Sequence, residues 1–222
     1  FGRVASVFKD PNVFGPFLVP AALYSIYYFE SKNNLATRCF WLAIFLILSI
    51  GVLLSFSRAA WGNYAISACV YFILSAGSLK QRALTVFVLV IIILPVISAI
   101  LFQPQVAELL NQRVGIHGYD SDRFGTQLAS LQLATAYPLG IGPGQTEPIL
   151  SYSTHSLYVR IVAEYGFLGI LSFLNFLVLT FMRSLRHCFR KTKNTTQYAA
   201  IVTATLTGIL FNSIFIDTLH WR

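Results

Sequence analysis

Charge is what this sequence has least of. Only 11% of its 222 residues are Asp, Glu, Lys or Arg, where a soluble domain carries roughly a quarter. That shortage excludes an ordinary water-soluble globular domain and places the chain in the membrane class. Cysteine is scarce as well, with only Cys39, Cys69 and Cys188. Two lie in apolar runs and one in a basic segment, with no pairing pattern and no metal-ligand spacing. They read as small apolar fillers, which removes a disulfide framework from consideration. The eight carboxylates form no dense cluster able to hold a metal ion, so neither metal nor cofactor is expected. The chain starts at Phe1 without an initiator Met and without a signal-peptide pattern. It stops at Arg222 directly after an apolar run. Both ends look cut, and a piece of a longer protein is expected.

What the sequence has in abundance is apolar residue, 56% of the total. A helix needs about 20 such residues to cross the hydrocarbon core of a bilayer. Six stretches qualify: Val13–Phe29, Cys39–Phe56, Ala59–Gly77, Ala83–Phe102, Ser156–Met182 and Tyr198–Ile216. The expected fold is therefore all-α, a polytopic transmembrane helical bundle of about six spans in a single membrane domain. Cys39 to Gly77 is nearly continuous and too long for one crossing at about 1.5 Å per residue. It must reverse near Ser57 and Arg58, which puts Arg58 at the apex of a tight hairpin.

The loops assign the sides. One face collects Lys32, Arg38, Lys80, Arg82, Arg183, Arg186, Arg190, Lys191 and Lys193 against a single acid, Glu30. The other holds seven basic residues against seven acids. The whole net charge of +8 thus lies on one face, which is cytoplasmic by the positive-inside rule. The excess is a topology determinant that also suits anionic lipid, and it gives no reason to expect nucleic acid. Six of the seven basic residues on the outer face are Arg. Arginine's planar fork suits phosphate and carboxylate. Salt bridges with the seven acids are the plain alternative, least so for Arg58, which has no acid nearby in sequence.

Between Phe102 and His155 runs the one long extramembrane loop, residues 103–155, about 50 residues and expected to carry structure of its own. Asp120-Ser121-Asp122 offers capping residues before Arg123. From Arg123 to Tyr137 the pattern is helical, with Phe124, Leu128, Leu131 and Thr135 on one face. Pro138 ends it, and Leu139-Gly140-Ile141-Gly142-Pro143-Gly144 makes a glycine-rich turn. No strand precedes that turn, so it is no dinucleotide fingerprint. It reads as a tight path that returns the loop over the membrane face. Thr154 or Ser153 can cap the next span. His155 sits at that helix start, where the dipole disfavours a cationic imidazole. A neutral imidazole there can accept a proton from a hydroxyl, or it is simply a polar cap. Arg160 and Glu164, four residues apart, are expected to pair structurally.

Four local patterns, in order, resemble the O-antigen ligase and polymerase superfamily of bacterial envelope glycosyltransferases. They are Asp10-Pro11-Asn12 with Phe14-Gly15; Ser57-Arg58-Ala59-Ala60-Trp61 at the hairpin; Arg123 leading to Pro138-Leu139-Gly140-Ile141-Gly142-Pro143-Gly144; and His155-Ser156-Leu157-Tyr158 followed by Glu164-Tyr165-Gly166-Phe167-Leu168-Gly169. Ser156 stands where that family commonly has Asn. The resemblance implies transfer of a glycan from an undecaprenyl-pyrophosphate carrier to an acceptor hydroxyl, at the periplasmic face of the bacterial inner membrane and without a metal. It implies that Arg58 and Arg123 contact the pyrophosphate and that His155 acts as general base or orients the hydroxyl. Trp61, Tyr152 and Tyr158 either stack on sugars or anchor the chain at the interface.

Three functions compete. A polymerase joins repeat units of O-antigen, capsule or exopolysaccharide from one lipid carrier to another, and is favoured because nothing marks a lipid A core site. A ligase moves the glycan to lipid A core or to protein. A transporter or flippase is the third. Transporters often place ionisable residues near the midplane, whereas these span centres carry none.

Overall fold

A computed structural model describes residues 10–75, 118–150, 154–189 and 193–217, together with Phe8, Ser98 and Pro104. The described residues are all-helical, without strands. They form seven helices: α1 (Pro11–Ser31), α2 (Leu35–Leu54), α3 (Arg58–Leu74), α4 (Gly118–Ala136), α5 (Thr146–Leu150), α6 (Leu157–Cys188) and α7 (Lys193–Phe215). Among the described residues, α2, α6 and the Thr195–Phe215 part of α7 are long and apolar enough to cross a membrane. Helices α1 and α3 cover two more of the expected spans without meeting that standard of length and apolarity. The expected span Ala83–Phe102 lies outside the described residues except for Ser98, and Tyr152 and Ser153 lie outside them as well.

The chain divides into two compact units. The first contains α1, α2, α3, the last turn of α6 and α7 as far as Ile209. Each of its first three helices opens on a side chain that accepts an orphan amide: Asp10 from Asn12, Asn34 from Ala36, and Ser57 from Ala60. Pro11 follows its cap at the first helical position, where its missing N–H costs nothing. The core of this unit joins Val19, Leu23 and Ile26 of α1 to Phe45 and Val52 of α2, Tyr71 of α3 and Ile201 of α7. Helix α2 buries little of its apolar surface. In water that would be unfavourable at about 25 cal/mol per Å², so its bare faces belong against lipid.

The second unit contains α4, α5, most of α6 and the end of α7 from Leu210. Helix α6 is 32 residues long but is not one helix. Gly166 interrupts it at φ 67°, ψ −169°, a conformation essentially confined to glycine. The fifth expected span therefore divides into a short segment carrying Arg160 and Glu164, and a long apolar one from Phe167 onward. The apolar segment leaves Phe167, Leu168, Leu171, Phe176 and Leu179 exposed, a lipid-facing surface.

Candidate functional site

The turn before α6 is strained. His155 has φ 53°, rare for a non-glycine residue. The Ser156 N–H donates to the Thr154 carbonyl across it at 2.7 Å, a three-residue turn with His155 at its centre. The Arg160 N–H donates to the Ser156 carbonyl at 3.0 Å, so Ser156 is the residue that opens the helix, rather than Thr154 or Ser153. Thr154 is fully buried, and its hydroxyl has no hydrogen-bond partner among the described residues. His155 itself is half-buried between two buried neighbours. Backbone strain of this kind costs about 1–3 kcal/mol and concentrates at functional positions.

Three residues on, Tyr158 donates its hydroxyl to the Leu210 carbonyl at 2.9 Å. Its ring lies 6.4 Å from that of Phe173. One turn further, the glycine-rich loop closes on the break in α6. Ile141 and Gly142 donate their N–H groups to the Ala163 and Glu164 carbonyls, each at 3.0 Å. Phe167 donates to the Pro138 carbonyl at 3.0 Å. The break orphans these backbone groups, and the loop satisfies them. The turn chemistry of Pro138–Gly144 and the glycine at 166 are thus two halves of one joint.

A buried ion cluster fastens the same joint from its other side. Arg160 is 4% exposed. It bonds Glu164 at 3.0 Å, pairs with Asp217, and lies 3.7 Å from Glu147. Glu164 also accepts the Thr146 hydroxyl at 2.5 Å and the Gly144 N–H. The expected Arg160–Glu164 pair is therefore present, within a larger set. Sequence reasoning missed Asp217, Thr146 and Glu147 as its partners. The i, i+4 spacing is visible in a sequence, whereas Asp217 is distant along the chain and comes from a different helix end.

Helix α4 begins at Gly118, so Asp120-Ser121-Asp122 lies within its first turns rather than capping Arg123. Arg123 belongs to α4, in the second unit. The face shared by Leu128, Leu131 and Thr135 is exposed, and the buried side carries Ser130 and Ala134.

In the first unit the α2–α3 hairpin turns as expected at Ser55, Phe56 and Ser57. Phe56 adopts φ 48°, and its N–H donates to the Leu53 carbonyl at 3.1 Å. The Trp61 indole N–H also donates to the Leu53 carbonyl, at 3.2 Å. That bond braces the hairpin through the indole N–H. Arg58 is the first residue of α3 and is exposed, where α3's free amides favour an anion. Gly15 of α1 packs on this turn, and a Cβ there would meet Ala60 and Ser55 at 2.6 and 2.8 Å. That contact gives the Phe14-Gly15 pattern its reason. Arg58 and Trp61 share one helix turn of the first unit, while in the second unit His155 stands just before the first turn of α6, which carries Tyr158. Among the described residues no group of three His, Cys, Asp or Glu could hold a metal ion.

The O-antigen ligase family model matches residues 43–174. The chain belongs to the O-antigen ligase family. The match begins in α2, takes in the hairpin with Arg58, helix α4 and the His155 turn, and ends beyond Gly166 in α6. No curated protein matches the chain. Membership makes this O-antigen ligase family member a membrane protein of the ligase or polymerase type, with glycosyl transfer as its general chemistry.

Proposed function

We propose that this chain moves a glycan from an undecaprenyl-pyrophosphate carrier to an acceptor hydroxyl, as a polymerase of O-antigen, capsule or exopolysaccharide. The reaction takes place at the periplasmic face of the inner membrane, in a domain of about six spans. The observation that carries the reading is His155, held at φ 53° in a strained turn at the opening of α6, in a chain of the O-antigen ligase family.

In this reading the acceptor oxygen attacks the anomeric carbon of the donor. The bond from that carbon to the pyrophosphate oxygen breaks, and the electron pair leaves with the pyrophosphate. His155 takes the hydroxyl proton as the new bond forms. The departing pyrophosphate needs positive charge as its own charge develops. Arg58 and Arg123 supply it through paired N–H donors, so no metal ion is required. Trp61 and Tyr158 support the site as buttresses, because both polar groups already hold backbone carbonyls.

The family description favours a second reading, ligation of the glycan to lipid A core. Purified protein in detergent, given a lipid-linked repeat unit alone, tests the choice. Growth of the lipid-linked chain supports the polymerase. Transfer only after a lipid A core acceptor is added supports the ligase, and no transfer under either condition overturns both. Flipping cannot be scored in detergent, so a transporter would be silent in this assay.

A further inference from the structure

Helix α4 presents an apolar stripe that is largely exposed. Leu128 is 60% exposed and Leu131 43%, and 128, 131 and 135 recur at helical spacing. Away from the stripe, Ser130 and Ala134 are fully buried. The sequence from Phe124 to Thr146 contains no Asp, Glu, Lys or Arg. A helix face in contact with water commonly carries charge, whereas the described outward positions of α4 from Leu128 to Ala136 carry none.

The stripe also continues onto a surface that belongs to lipid. The α4 helix runs directly into Tyr137 and Leu139, both exposed. Pro138, between them, accepts the Phe167 N–H at 3.0 Å. Phe167, Leu168 and Leu171 are the first exposed apolar residues of the long segment of α6, which is suited to crossing a membrane. The turn that follows α4 is therefore hydrogen-bonded to the first residue of the apolar segment of α6.

We infer that α4 is an interfacial helix, lying on the outer leaflet of the bilayer with Leu128 and Leu131 among the upper acyl chains. An interfacial helix of this sort buries its apolar face about 5–10 Å into the headgroup and acyl boundary. Arg123 belongs to the same helix, five residues before Leu128. The inference rests on the chain being a membrane protein and not on the transfer reaction.

The test uses the full chain in phospholipid nanodiscs, with Cys39, Cys69 and Cys188 replaced by Ala. Single nitroxide labels are placed at Leu128, Leu131, Leu171 and Asn33, the last exposed in the turn between α1 and α2. Collision with oxygen relative to a water-soluble nickel chelate is measured at each. Leu128 and Leu131 are expected to match the lipid-facing Leu171, with a ratio several-fold above Asn33. Free access of the nickel chelate at Leu128 and Leu131 overturns the inference. Exclusion of both reagents also overturns it, because that places the stripe against protein. Should the cysteine-free protein fail to accumulate, Leu131→Trp in the native background gives the same reading. Its added fluorescence is quenched by lipids brominated near the headgroup end of the chain, or the inference fails.

Discussion

Gly140 and Gly166 meet backbone to backbone, and a side chain on either would strike the main chain of the other. Gly166 additionally holds a conformation that only glycine adopts readily, φ 67° and ψ −169°. The two positions are far apart in sequence and together make the joint that sets the first segment of α6 against the outer loop. Three backbone hydrogen bonds, from Ile141, Gly142 and Phe167, depend on that approach.

Alanine at these positions is therefore expected to act in a graded way. Gly166→Ala combines backbone strain of about 1–3 kcal/mol with a collision, and should lower the detergent melting temperature most. Gly140→Ala should follow closely. Gly144→Ala has open space around the added methyl and carries strain alone, so its shift should be the smallest. Equal melting temperatures for Gly144→Ala and Gly166→Ala would contradict the joint.

Arg160 should matter for folding more than any other cation in the second unit. Removing one partner of a buried ion pair costs about 3–5 kcal/mol, because the others stay buried without compensation. Arg160→Ala leaves Glu164 and Asp217 in that position, so low accumulation and early unfolding are expected. Glu147 is 27% exposed and 3.7 Å from the guanidinium. Glu147→Ala should cost less than Arg160→Ala, because it leaves the closer Glu164 and Asp217 partners in place. Thermal unfolding of the purified variants measures both.

Much of this architecture is legible in the sequence, for identifiable reasons. The α2–α3 reversal followed from a span too long for one bilayer crossing, and the chain turns at Ser55–Ser57, directly before Arg58. The Arg160–Glu164 pair followed from helical spacing. What escaped was tertiary. The glycine turn was readable as a tight path, yet nothing local says that its partner is Gly166. A long apolar run from Ser156 reads as one span, since a single glycine does not reveal its own φ. The apolar stripe of α4 was visible, but not that it would face outward, because helical periodicity identifies a face and not what covers it.

Arg58 and Arg123 should be separable from the fold. Arg58 is exposed at the start of α3, so Arg58→Ala should insert and accumulate normally. Under the proposed chemistry it should nonetheless lose glycan transfer, as should Arg123→Ala. Arg58→Lys should recover only part, because an ammonium cannot offer the paired donors of a guanidinium. Wild-type transfer by Arg58→Ala in membranes would remove the phosphate role.

If the arginines carry the leaving-group charge, transfer by purified protein should be unchanged by EDTA. The check is initial rate with and without chelator, on protein repurified in chelator and then resupplied with Mg²⁺. A rate that collapses and returns with the ion would mean that a divalent cation performs the part assigned to Arg58 and Arg123.

His155 has two features that a single substitution confounds, its imidazole and its left-handed backbone. Glycine at 155 removes the imidazole and relieves the strain, asparagine keeps a polar side chain tolerant of φ near 53°, and alanine removes the imidazole while leaving the strain in place. If His155 takes the acceptor's proton, all three variants should lose transfer by about 10²–10⁴-fold, the usual worth of a positioned base. Stability should move the other way for one of them, with His155→Gly melting no lower than wild type and His155→Ala somewhat below it. If His155 serves only to form the turn before Ser156, then His155→Gly and His155→Asn should transfer glycan at the wild-type rate. Measuring rate and melting temperature on the same three preparations separates the two roles, because a loss of rate in His155→Gly without a loss of stability can only come from the missing imidazole.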